Sequence, residues 1–92
     1  MTRFQDRVVI VTGGSLGIGE AAARRFASEG AKVVIASRDA AHAAAAVDAI
    51  AAAGGTAAHV RTDLAIDEDV AALASDVRRR FGRVDVLVNN AA

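Results

Sequence analysis

Apolar and polar positions along the chain alternate between two patterns. Short apolar runs rich in β-branched residues occur at Val8-Val9-Ile10-Val11, at Lys32 to Ser37 (KVVIAS), more weakly at Thr56 to Arg61 (TAAHVR), and at Val84 to Asn89 (VDVLVN). Runs of this kind without polar alternation predict strands buried on both faces, as in parallel sheets. Between them, apolar residues recur at helical spacing. Ile18, Ala22 and Phe26 fall at i, i+4 and i+8, with Arg24, Arg25 and Glu29 facing away. This predicts a helix that starts near Gly17 or Ile18 and is closed by Gly30. Asp39 can cap a second helix from about Ala40 to Ala53, which carries Val47 and Ile50 among alanines and ends at Gly54-Gly55. A third helix is predicted from Glu68 to Phe81, with Asp67 as its cap, Val70, Leu73, Val77 and Phe81 on its inner stripe, and Gly82 beyond its end.

The order β-α-β-α-β-α-β implies an α/β fold: a doubly wound parallel sheet with right-handed crossovers and helices on both faces. A strand order of 3-2-1-4 puts the first strand beside the crevice where ligands of open α/β sheets bind. With 92 residues the chain makes at most one small domain. The 53% hydrophobic fraction and mean hydropathy of +0.31 argue against disorder. Much of that fraction is alanine, so the core should be thin. Formal net charge is zero, which leaves no global field to hold nucleic acid or an anionic membrane. Arg78-Arg79-Arg80 reads as a solvated helix end, where cations suit the dipole. No segment is long and apolar enough to span a bilayer, and Met1 to Asp6 leads into a strand rather than a signal-peptide core. Cysteine is absent, removing thiol catalysis, disulfides and thiolate metal sites. The expectation is a soluble cytoplasmic protein without a metal.

The chemistry centres on Thr12 to Gly19 (TGGSLGIG), a glycine-dense bend between the first strand and the first helix. Glycines there allow a tight turn, let a ligand approach the backbone and bring the helix against the strand. Free amides at the helix start, with the helix dipole behind them, favour an anion, above all a phosphate. A loop of the GxxxxGK(S/T) type would need a lysine and a hydroxyl directly after its last glycine, whereas Glu20 and Ala21 follow Gly19. This argues against a nucleoside triphosphatase. The glycines run G-x-x-x-G-x-G rather than G-x-G-x-x-G, so support has to come from further along the chain.

That support lies at the ends of the later strands. About 20 residues past the bend, a fold of this type places the group that meets the adenosine ribose. An acidic side chain there binds the 2′-hydroxyl of NAD, but Ser37 and Arg38 occupy the positions. A planar guanidinium fork with a nearby hydroxyl matches the 2′-phosphate of NADP better. A displacement of one residue would bring the carboxylate of Asp39 there instead. Asp63, just past the third strand, can accept a hydrogen bond from the adenine amino group. Asn89 and Asn90 close the fourth strand at the same edge, where their amides could tie strand ends together or line the ribose.

TGGSLGIG, Asp63-Leu64, and Asn89-Asn90-Ala91 after a VDVLV strand together resemble the N-terminal half of a classical short-chain dehydrogenase/reductase, in the order and spacing of that family. The resemblance implies a partial Rossmann-type domain over residues 1–92. It also implies that Gly13, Ser15, Leu16 and Ile18 surround the pyrophosphate while Gly17 and Gly19 permit close approach. Arg38 would sit at the NADP-selecting position, Asp63 and Leu64 at the adenine, and Asn90 and Ala91 along the adenosine ribose. Ala92 departs from the family's usual glycine. The family's catalytic serine, tyrosine and Y-x-x-x-K lysine lie C-terminal to the matching segment. This chain has no tyrosine, and its lysine, Lys32, begins a strand. Ser15 belongs to the bend, and His42 and His59 read as ordinary surface or core residues. The expectation is the NADP-binding portion of an oxidoreductase that moves a hydride between NADPH and a carbonyl or alcohol, inactive alone, with no catalytic residue of its own. Rival readings are a stand-alone NADP-binding or redox-sensing module, a chain that self-associates through the uncovered edge at 84–89, and, remotely, a methyltransferase.

Overall fold

The computed structural model describes residues 4–13 and 17–89. Its elements are β1 (Val8–Thr12), α1 (Gly17–Ser28), β2 (Lys32–Ser37), α2 (Ala40–Ala52), β3 (Thr56–Arg61), α3 (Asp67–Phe81) and β4 (Val86–Asn89). The strands form one parallel sheet in the order β3-β2-β1-β4, as the alternation of patterns predicts. β1 pairs with β2 from Val8 opposite Lys32 to Thr12 opposite Ala36, and with β4 up to Thr12 opposite Asn89. Every residue of β1 is buried. Its unbroken β-branched run fits this place, because both sheet faces are covered there. Val9, Val11, Val33 and Ile35 pack with Ala23 and Ala27 of α1 and Ala43, Ala46 and Ile50 of α2. On the opposite face, Val8, Ile10, Val34 and Ala36 pack with Leu73 and Val77 of α3.

α1 corrects the expected inner stripe. Its buried residues are Gly19, Ala23 and Ala27, one position on from Ile18, Ala22 and Phe26, and Ile18 is 78% exposed. Each residue turns the helix face by about 100°, so a shift of one replaces the large side chains with the smallest available. Small residues let the α1 backbone lie close against the sheet. Phe26 is carried to the flank, where its ring meets Phe4 edge-on at 5.0 Å between centroids. Backbone bonds from Phe4 N–H to the Glu29 carbonyl and from Asp6 N–H to the Gly30 carbonyl hold that flank in place.

α3 and β4 also differ at their starts. α3 begins at Asp67 itself, and Ile66 precedes it without a side-chain cap. Asp67, Glu68 and Asp69 all lie in the first turn, where the helix dipole favours negative charge. Leu73 and Val77 are buried as expected and Phe81 packs against their cluster, but Val70 is 42% exposed. β4 starts at Val86 rather than Val84, and Asp85, just before it, forms a clamp on β1. The Val8 N–H donates to Asp85 Oδ2 at 2.8 Å, and the Asp85 N–H donates to the Val8 carbonyl at 2.9 Å. Arg83 donates to Oδ1 from Nε at 3.0 Å and from Nη2 at 2.6 Å, with Arg7 Nη1 at 3.6 Å. The Val8 N–H bond first, then the Arg83 and Arg7 guanidinium groups, hold the Asp85 carboxyl below its ordinary value. β4 is an edge strand, and Leu87 on it is 62% exposed.

Two outcomes test this packing. Ile18→Ala should change stability by less than about 0.5 kcal/mol, while Ala23→Leu should cost roughly 1–3 kcal/mol by forcing α1 off the sheet, both measured by urea denaturation. The reverse ranking would show the larger stripe to be the inner one. The lowered Asp85 carboxyl contributes stability that is fully present above the unfolded carboxylate value of about 3.9 and is lost as pH falls through the lower native value. Asp85→Ala should therefore weaken the fold at neutral pH and flatten the acid limb of a stability profile. An acid limb identical to that of the parent would contradict the clamp.

Candidate functional site at the carboxyl edge of the sheet

The parallel order brings the C-terminal ends of β1, β2 and β3 to one edge, and short bonds fix each end. Thr12 is buried, and its hydroxyl donates to the Val88 carbonyl of β4 at 3.2 Å. Gly13 N–H donates to the Ala36 carbonyl of β2 at 2.9 Å. The last residue of β1 and the first of the bend are thus tied to opposite neighbours. Gly13 then turns away at φ +68°, and α1 opens at Gly17 with φ +57°. Side chains rarely adopt this left-handed region, so the glycines at both ends of the bend are required by backbone geometry. At Gly17 an added Cβ would meet nothing within 4 Å, so space is not what demands glycine there. Gly19 is buried one turn inside. Ser15 and Leu16 lie outside the described residues, as do Asn90 and Ala91.

At the end of β2 the chain passes through Ser37 and Arg38 into α2. Asp39 serves α2: its Oδ1 accepts the His42 N–H at 3.0 Å, and its Oδ2 meets His42 Nδ1. Those bonds, the backbone N–H first, lower its carboxyl from the ordinary value. The carboxylate is therefore engaged as a helix cap, and Ser37 and Arg38 keep the places at the strand end. Arg38 is exposed, and among the described residues its side chain has no hydrogen-bond or ion-pair partner. Ser37 is half-buried; its hydroxyl lies 3.2 Å from His59 Nε2, which is also 3.0 Å from the Ser37 carbonyl.

Beyond β3, Thr62 is buried, with its N–H donating to the Ser37 carbonyl and its hydroxyl to the Val60 carbonyl, each at 3.0 Å. Asp63 shapes the next turn. Its Oδ1 accepts the Ala65 N–H at 3.0 Å, its N–H donates to Asp69 Oδ2 at 2.9 Å, and its carbonyl accepts the Ile66 N–H at 3.0 Å. An ionised carboxylate has acceptor capacity beyond a single turn bond, so a further donor can be met at Asp63.

These ends enclose an open groove of about 340 Å³, lined by Gly13, Ala36, Ser37, Arg38, Thr62, Asp63, Leu64 and Ala65. It gathers Gly13, Ser37, Arg38, Asp63 and Leu64, all of which the sequence singles out. Ile18 and Gly19, in the first turn of α1, do not line it. A larger hollow of about 460 Å³ opens at the opposite end of the sheet, between the C-terminal turns of α1 and α2. Helix C-termini present carbonyl oxygens, the wrong partners for an anion, so size does not make that hollow the site. No set of His, Cys, Asp and Glu among the described residues is arranged to hold a metal. No helix among them is long and apolar enough to cross a membrane. Two links escaped the sequence reading. Asp69 supports the Asp63 turn, and His59 is bonded to Ser37; the signal for the second is strand alternation, since His59 and Ser37 fall on the same sheet face once β2 and β3 are aligned.

The family model for short chain dehydrogenases matches residues 7–92. Among relatives, a 3beta-hydroxysteroid dehydrogenase of Mediterraneibacter gnavus is 41% identical over 91 residues, which are 99% of this chain and 33% of that protein. A meso-2,3-butanediol dehydrogenase of Serratia marcescens is 45% identical, over 97% of this chain and 35% of its own length. The chain thus spans about a third of the length of these relatives. Among solved structures, a metagenomic short-chain oxidoreductase in complex with NADP superposes with a TM-score of 0.94 at 45% identity, covering 97% of this chain and 40% of that one. A hydroxysteroid dehydrogenase from Escherichia coli gives a TM-score of 0.95 at 38% identity, over 99% of this chain and 39% of its own. With its Rossmann-type sheet and the groove at its carboxyl edge, the chain belongs to the short-chain dehydrogenase/reductase family.

Proposed function

We propose that this chain is the NADP-binding portion of a short-chain dehydrogenase/reductase that moves a hydride between the cofactor and a carbonyl or alcohol, and that the 92 residues bind the cofactor without turning over. The observation that carries the cofactor choice is the end of β2. Ser37 and Arg38, the latter without a side-chain partner among the described residues, line the groove, while the neighbouring carboxylate of Asp39 is committed to the α2 cap. A 2′-phosphate would gain a charge-assisted contact there, whereas a bare ribose hydroxyl at the β2 end would meet a carboxylate, Asp39, already engaged by His42. The NADP complex of the similar metagenomic enzyme supports the same cofactor class. Gly13, Ser15, Leu16, Gly17, Ile18 and Gly19 would hold the diphosphate, Asp63 and Leu64 the adenine, and Asn90 and Ala91 the adenosine ribose.

When bound, the dinucleotide supplies or accepts the hydride. This chain's residues would bind and orient it, but protonating a carbonyl oxygen requires a donor within hydrogen-bond reach. The sequence holds no tyrosine. Lys32 stands at the start of β2, opposite Val8, at the far end of the sheet from the groove. We therefore assign the proton-transfer groups to residues beyond these 92, and the substrate site with them. A cytoplasmic setting fits the cofactor and the lack of cysteine.

Calorimetric titration tests both parts. NADP+ should bind at least about tenfold more tightly than NAD+, and Arg38→Ala should remove about that factor for NADP+ while leaving NAD+ unchanged, as expected for one charge-assisted contact. Equal affinities, or a preference for NAD+, would overturn the cofactor assignment. NADPH oxidation by the purified chain with a panel of aldehydes and ketones should stay at background; measurable turnover would contradict the absence of a proton donor.

A further inference from the structure

The described residues place two further polar side chains of β3 on the Ser37 side of the sheet. β2 and β3 pair in parallel with Ile35 opposite His59 and Ser37 opposite Arg61. Side chains alternate along a strand, so Ile35, Ser37, His59 and Arg61 share one face, with paired positions about 4.8 Å apart across the sheet. Ile35 is buried in the layer beneath α1 and α2. Moving toward the carboxyl edge, the same face changes from Ile35 to half-buried His59 and Ser37, and then to exposed Arg61. This is a gradient from core to cation over two residue pairs.

The hydrogen-bond geometry sets the proton positions. His59 Nε2 lies 3.0 Å from the Ser37 carbonyl oxygen, which only accepts, so Nε2 carries a hydrogen. The Ser37 hydroxyl, 3.2 Å from the same nitrogen, must then accept as well. Its own hydrogen is left free to be donated elsewhere. Thr62 N–H also donates to the Ser37 carbonyl, so the strand end is pinned from two sides. Arg61, like Arg38 at the neighbouring strand end and Arg78 on α3, has no side-chain partner among the described residues, whereas Arg7, Arg24, Arg25, Arg79, Arg80 and Arg83 pair with carboxylates.

We propose that β3 completes the recognition of the 2′-phosphate: His59 is a positioning residue that turns the Ser37 hydroxyl into a donor aimed at the phosphate, and Arg61 supplies a second cation beside Arg38. This rests on the NADP reading above and extends it to a strand that reading does not use. The phosphate would be held between guanidinium groups from adjacent strand ends with a hydroxyl donor between them. Arg61 is exposed, so its charge acts on the ligand without a burial penalty and its contribution should fall with added salt.

The test compares adenosine 2′,5′-bisphosphate with adenosine 5′-monophosphate, which differ only in the 2′-phosphate, by calorimetry on the full chain. Arg61→Ala should weaken the bisphosphate about tenfold at low salt and the monophosphate less than about twofold. His59→Ala should also lower the preference, by about fivefold, and His59→Gln, which keeps an N–H donor of similar reach, should restore most of it. A merely structural role for His59 would shift both ligands together and would not be rescued by Gln. Far-UV circular dichroism checks each variant; if His59→Ala unfolds, the Gln and Arg61 variants still decide. A parent chain that prefers the bisphosphate while Arg61→Ala leaves that preference intact would overturn this proposal alone. A parent chain with no preference at all would overturn the NADP reading and this proposal with it.

Discussion

The lateral fastening of β1 at its carboxyl end is the constraint on which the rest of the structure depends. Thr12 reaches β4 through its hydroxyl and Gly13 reaches β2 through its amide, so the chain leaves the sheet from a point fixed on both sides. The left-handed turn at Gly13 converts that point into the floor of the groove. Asp85 does the corresponding work at the other end, clamping the start of β1 to the segment that leads into β4. A strand buried on both faces has no solvent to satisfy its ends, so these side-chain bonds matter more than they would at a surface.

The packing explains why alanine serves this fold well. Ala23, Ala27, Ala43 and Ala46 let α1 and α2 lie close to the sheet, while the strands contribute the bulk through Val and Ile. Dispersion gained by close approach offsets part of what small side chains forgo in buried area. Charges are kept at the periphery and mostly paired within or beside their own helices, as in Arg25 with Glu29 and Arg80 with Asp76. Against that background the Arg38 and Arg61 guanidinium groups, without a partner among the described residues, lie together at the β2 and β3 ends.

Element order, strand order and the residues gathered at the groove were legible because they follow from coarse signals: apolar runs, helix punctuation by glycine, and the carboxyl-edge rule for parallel sheets. The inner stripe of α1 was not. Hydrophobic periodicity gives Ile18, Ala22 and Phe26 the same spacing as Gly19, Ala23 and Ala27, and only the demand for close helix-sheet contact selects the smaller set. Asp67 lies one residue inside α3 because the Ile66 carbonyl already accepts the first helical bonds, from the Asp69 and Val70 N–H groups, a boundary that a capping-type residue at 67 does not reveal in the sequence. Asp85 and His59 were hidden for a shared reason: each acts on a residue far away in sequence, Val8 and Ser37 respectively, through a strand register that composition alone does not give.

The central claim is that the carboxyl edge of the sheet, from the start of α1 to the end of β2, engages both the diphosphate and the 2′-phosphate of the same dinucleotide. Phosphorus NMR of NADP+ titrated with the purified chain tests it directly, since the two kinds of phosphorus resonate separately. The account predicts that both sets of resonances shift and saturate together at the same protein concentration. A diphosphate that shifts while the 2′-phosphate stays at its free position, or no saturable shift of either, would contradict it.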